Sequence, residues 1–118
     1  MELMNPYELK EKWRDLSTIL EKQFGEKPDL QTVIFLIGVQ ELGKGYVNFT
    51  KDEKQDLMHI ATCKLLSFWG YYELEGLDNE GWPHWKKCTD IPRLTLQHQD
   101  QLLRHSVLAY FKENGFAI

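Results

Sequence analysis

The run Leu30-Gln31-Thr32-Val33-Ile34-Phe35-Leu36-Ile37-Gly38-Val39-Gln40-Glu41-Leu42-Gly43-Lys44-Gly45 decides the fold. From Val33 to Val39 the side chains are apolar on nearly every side of a helix, the pattern of a helix covered by its neighbours. A buried strand is the rival reading. It is disfavoured because the run lacks period-two alternation and closes on Gln40-Glu41-Leu42-Gly43. We therefore expect a helix from about Leu30 to Leu42, capped by Asp29 and ended by Gly43 and Gly45. Tyr46 to Phe49 then reads as a short extended connector.

Three further helices follow from cap and stripe signals on either side. Asn5 suits an N-cap, Pro6 the first helical position, and Glu8 the third position of a capping box. Met4 and Leu9 have the spacing of a hydrophobic staple. Leu9, Trp13, Leu16, Leu20 and Phe24 form one stripe, which Gly25 and Pro28 end. Thr50-Lys51-Asp52-Glu53 is a second capping box, opening a helix whose stripe is Leu57, Ala61, Leu65 and Phe68 and whose end is Gly70. A last helix starts near Thr95, carries Leu96, Leu103, Val107 and Tyr110, and closes at Asn114-Gly115. Phe116, Ala117 and Ile118 form an apolar tail expected to dock on the core.

The segment from Tyr71 to Arg93 has a different texture. Tyr71-Tyr72-Glu73-Leu74-Glu75 alternates weakly, Asp78-Asn79-Glu80-Gly81 is a turn cluster, and Trp82-Pro83-His84-Trp85 follows. A β-hairpin is the natural expectation, with Pro83 confining its second arm to an edge. The expected fold class is thus mainly α: a small bundle of three to four helices, with a β-hairpin or ordered loop inserted before the last helix. Residues 1-118 are expected to form a single helical domain.

Composition narrows the class of function. Apolar residues make up 42% of the chain, so a core can be buried, and 18 acidic residues outnumber 14 basic ones for a net charge of -4. That balance supplies no overall attraction to nucleic acid or to anionic lipid. Cys63 and Cys88 are too few for a disulfide-built domain. Met1 to Tyr7 lacks the basic and apolar regions of a signal peptide. No run approaches the ~20 apolar residues that span a bilayer. These features together predict a cytoplasmic protein with reduced thiols and no membrane association.

Chemistry-bearing groups are sparse. Asp56, His59 and Cys63 share one helix face, a local geometry able to offer ligands to one ion, and Glu41 is the further candidate if a metal were held. A di-iron bundle would need two Glu-x-x-His pairs, and only this one pair exists, beginning with Asp. His98 and His105 lie ~10 Å apart along a helix axis, too far for one ion. Glu41 sits on the stripe Leu30, Ile34, Ile37. Burial there would raise its pKa as a general acid requires, whereas a helix end reaching water beside Lys44 would leave it ordinary. Cys88, next to Lys86 and Lys87, could be a lowered-pKa thiol with His84 as its base. No GxSxG elbow is present, and Gly43-Lys44-Gly45 lacks the spacing of a phosphate loop. The expectation is no catalytic residue, no resident metal and no cofactor.

The aromatic segment is the feature that needs a function. Trp69, Tyr71, Tyr72, Trp82, His84 and Trp85 crowd together, followed by Lys86 and Lys87. Trp and Tyr dominate protein-binding hot spots, and aromatic plates beside cations can also stack bases. Glu73, Glu75, Asp78 and Glu80 in the same segment would repel phosphate. The bland alternative is that the rings fold inward as a lid over a small helical core. The reading adopted is a protein-interaction module or accessory subunit, engaging a protein partner through Tyr71, Tyr72, Trp82, His84, Trp85, Lys86 and Lys87. A small metal protein or enzyme and a nucleic-acid accessory protein are the alternatives, and a homo-oligomer is compatible with the sequence.

The run Val33 to Gly45, with Asp56-Leu57-Met58-His59-Ile60 and Gly81-Trp82-Pro83-His84-Trp85, resembles a family of small bacterial proteins of unassigned function. The resemblance covers about residues 30 to 112. It implies no activity, cofactor or catalytic residue.

Overall fold

A computed structural model describes residues 3–45 and 47–118. Along the described chain run α1 (Pro6–Phe24), α2 (Leu30–Leu42), α3 (Lys51–Ser67), β1 (Tyr72–Leu77), β2 (Pro83–Lys87) and α4 (Leu96–Glu113). The protein is mainly α-helical, with a two-stranded antiparallel hairpin before the last helix. No described helix is long and apolar enough to cross a membrane.

The helix ends form where the side chains offer caps. The Glu8 N–H donates to Asn5 Oδ1 at 2.9 Å, and the Gly25 N–H, in a left-handed conformation, closes α1 on the Glu21 carbonyl at 2.8 Å. The Thr50–Glu53 capping box is reciprocal. The Thr50 N–H donates to Glu53 Oε1 at 2.8 Å, and the Glu53 N–H donates to Thr50 Oγ1 at 3.1 Å. Thr95 Oγ1 accepts from the His98 N–H at 3.1 Å and opens α4. Each cap satisfies a donor or acceptor that a helix end otherwise leaves unpaired. Tyr46, the first residue of the expected connector, lies outside the described residues, and 47–49 carry no regular structure.

The chain divides into two compact units. One runs up to Leu30 and includes Pro92–Ile118, and the other is Gln31–Ile91. In the first, α1 packs on α4. The α1 stripe buries Leu9, Leu16 and Leu20, while Trp13 is half-buried and Phe24 is exposed. Trp13 is covered by the Arg104 guanidinium, 4.6 Å from the ring, and Asp100 fixes that guanidinium at 2.9 Å.

The α4 stripe differs from the expected one. Leu96 is 83% exposed, and full burial begins at Leu102. From there His105, Ser106, Val107, Leu108, Tyr110 and Phe111 are buried around nearly the whole helix. The first turn of α4 therefore projects from the packed region, and a stripe drawn from Leu96 overstates the length of the buried face. The apolar tail docks as expected, with the Phe116 ring packed against Phe111 at 4.9 Å between ring centres and tilted by 58°.

In the second unit, α2 buries Val33, Ile34, Ile37, Gly38, Val39 and Leu42, leaving Gln31, Thr32 and Gln40 exposed. Gly38 is the point of close approach to α3: a methyl there would overlap the Leu57 carbonyl oxygen and lie 2.9 Å from its carbon. Val39, Leu42 and Leu57 form a core cluster on which Phe35, Phe49 and Trp82 pack. The hairpin lies against α3. Its register pairs Tyr72 with Lys87, Glu73 with Lys86, Leu74 with Trp85, Gly76 with His84 and Leu77 with Pro83. A bulge between Leu74 and Gly76 shifts the ladder, and Gly76 supplies the positive φ of 145° found there. A bulge sharpens local twist and re-aims the side chains beyond it, here His84 and Pro83.

Candidate functional site

Hairpin and α3 together enclose an open cleft of about 410 Å³. From α3 come Glu53, Asp56, His59 and Ile60, and from the hairpin Asp78, Glu80, Trp82, Pro83, His84 and Trp85. The α3 residues are spaced to share one helix face, since positions three, four and seven apart line up. The capping box sets where that face begins, because it fixes Thr50 as the residue before the helix.

Asp78 organises the hairpin side. Its Oδ1 accepts the N–H groups of Glu80 and Trp82, each at 2.9 Å, and Oδ2 meets His84 Nε2 at 3.0 Å. The Asp78 N–H returns to the Trp82 carbonyl at 3.0 Å. One carboxylate thus ties the turn to the start of β2. The hydrogen bond with His84, then the Trp82 N–H, holds the Asp78 carboxyl below its ordinary value. The Lys44 ammonium donates to the Glu80 carbonyl, so the glycine-bounded lysine after α2 reaches the hairpin turn.

The two indoles behave differently. Trp82 packs on Val39, Leu42 and Leu57 and so belongs partly to the core. Trp85 is half-buried opposite Leu74, and its indole N–H is shielded from solvent with no hydrogen-bond partner among the described residues. A shielded, unpaired donor costs about 1–3 kcal/mol. Both indoles are thus half-buried, between an inward lid and an exposed surface.

Not every expected partner-binding residue meets the cleft. Trp82, His84 and Trp85 line it, whereas Tyr71, Tyr72, Lys86 and Lys87 do not. Tyr71 and Tyr72 are half-buried at the open end of the hairpin, where the Cys88 N–H donates to the Tyr71 carbonyl at 2.8 Å. Lys86 and Lys87 are exposed on β2, and Lys87 pairs with Asp90 at 2.9 Å. The cleft is accordingly acidic, with four carboxylates and no lysine or arginine among its lining residues. The aromatic density marked the hairpin half in the sequence. There Glu53 marks a cap, and Asp78 a turn and one of the carboxylates that repel phosphate. The spacing of Glu53, Asp56 and Ile60 was the signal that could have found the helix half.

The metal candidates separate. Asp56 and His59 are exposed at the cleft, Cys63 is buried, and Glu41 is half-buried outside the lining. Cys63 Sγ lies 3.5 Å from His59 Nε2. Burial pushes the thiol up to about 11, so at neutral pH it remains S–H. Among the described residues no three His, Cys, Asp or Glu side chains are grouped to hold a metal ion. Cys88 is exposed, with its Sγ 3.8 Å from the Lys86 carbonyl. His84, the base proposed for it, is engaged with Asp78.

Comparison of the chain with protein-family models, with curated proteins and with solved structures returns no match.

Proposed function

We propose that the chain is a non-catalytic protein-interaction module or accessory subunit, and that the cleft between α3 and the hairpin is its binding surface. The observation that carries this reading is the meeting of two half-buried indoles and the exposed His84 with the α3 face around one concave, open surface. Half-buried Trp side chains suit this role because their position is fixed by packing while one side remains available for contact. The acidic lining favours a protein partner over nucleic acid, whose phosphates it would repel. Free Cys63 and Cys88 agree with a reducing compartment such as the cytoplasm.

The test must spare the core. Trp82 packs on the Val39 cluster, so Trp82→Ala would cost roughly 2–4 kcal/mol of stability and confuse folding with binding. Trp85→Ala with His84→Ala leaves that cluster intact. The wild-type chain, purified with its associated proteins from its native cell, is expected to carry a defined partner that the double variant loses at an unchanged helical circular-dichroism spectrum. Equal recovery of the same proteins by both would refute the assignment of the surface.

A further inference from the structure

We infer that the occupant of the cleft is a basic side chain, arginine or lysine, of the partner protein. This rests on the reading of the cleft as the binding surface and adds the chemistry of what enters it. Three observations converge. The first is charge: Glu53, Asp56, Asp78 and Glu80 line the cleft without a lysine or arginine among them.

The second is how these carboxylates are committed. Asp78 uses both oxygens inside the turn, and Glu53 spends one on its cap. Among the described residues the carboxylates of Asp56, on α3, and Glu80, on the hairpin turn, meet no hydrogen-bond or ion-pair partner, and both residues are exposed. They stand on the two elements that form the cleft, so a cation between those elements would meet an acceptor on each. The turn already receives one ammonium, that of Lys44 on the Glu80 carbonyl, which leaves the Glu80 carboxylate available.

The third is the indole pair. Aromatic faces attract guanidinium and ammonium groups, most strongly where water is partly displaced. The chain shows the same pairing in its other unit, where Arg104 covers Trp13. A second copy of the chain would bring its own acidic cleft, so self-pairing through this surface is disfavoured by like charge.

The experiment follows the indole Nε1–H resonances of Trp82 and Trp85 in the full chain at low salt. The probes are N-acetyl-Gly-Arg-Gly-amide, the same peptide with norleucine or glutamate in place of arginine, and n-butylammonium. The arginine peptide should move both resonances saturably, and the norleucine and glutamate peptides should leave them in place. The Asp56→Asn/Glu80→Gln variant should weaken binding by about tenfold or more, as loss of a charge-assisted contact does, and n-butylammonium, which lacks the peptide main chain, should bind more weakly than the arginine peptide. Equal movement by the norleucine peptide overturns the cationic assignment but not the binding surface. Equal binding of n-butylammonium overturns the peptide assignment. No movement with any probe overturns the inference, while the partner-capture experiment decides the surface separately.

Discussion

Gly38 shows how much one residue can settle. On helix propensity alone, Gly38→Ala should stabilise α2 by about 1 kcal/mol. The added methyl would instead meet the Leu57 main chain, which cannot rotate away as a side chain would. Overpacking of that kind costs about 1–3 kcal/mol and more against backbone, so we expect a net loss of roughly 2 kcal/mol, read from the urea midpoint. Asp78 is the other decisive residue. Its folded-state carboxyl titrates below the ordinary value of 3.8, chiefly through His84. Support for the turn is therefore complete above that value and is lost as pH falls through the lowered one. The Glu80 and Trp82 amide resonances should hold steady down to about pH 4 and move only in stronger acid. In Asp78→Ala they should be displaced at every pH. Neither role was legible in the sequence: a glycine inside an apolar run and an aspartate before a turn have many uses. The neighbour that gives each its meaning is distant in sequence or on the other strand.

At the scale of elements, the sequence was far more informative. Asn5, Thr50 and Thr95 cap α1, α3 and α4, because a cap is a local hydrogen bond between residues three apart. Thr50→Ala should therefore cost about 1 kcal/mol in thermal or urea unfolding, and Thr50→Ser should restore most of it. Of the α3 stripe Leu57, Ala61, Leu65 and Phe68, the first three are buried and Phe68 is the half-buried C-cap, while Ile60, Cys63 and Leu66 are buried as well. A stripe reports one contact face, and α3 is buried on more than one. The α4 stripe failed in the opposite sense at Leu96, where periodicity continues past the end of the packing. The hairpin was anticipated from its turn cluster, but the bulge that shifts Gly76 against His84 was not. Bulges arise from pairing between strands, and one strand's letters do not contain its partner's register.

For the molecule as a whole, net charge and the acidic cleft act in the same direction. An acidic chain whose candidate surface holds four carboxylates should show no retardation of single- or double-stranded DNA or RNA in gel assays, even at about 20 mM salt, where nonspecific phosphate contacts are strongest. Salt-sensitive binding there would return the nucleic-acid reading. The amino-acid sequence by itself determined the mainly α class, the positions of the helices, the Asn5 and Thr50 caps, and the hairpin before the last helix. Those features depend on residues a few positions apart. Tertiary structure alone decided that α1 meets α4, that the main chain of Leu57 touches Gly38, and that the α3 carboxylates face the hairpin indoles. Such contacts join residues separated by long stretches of chain. Their partners are chosen by which buried faces fit together, and no local pattern records that choice.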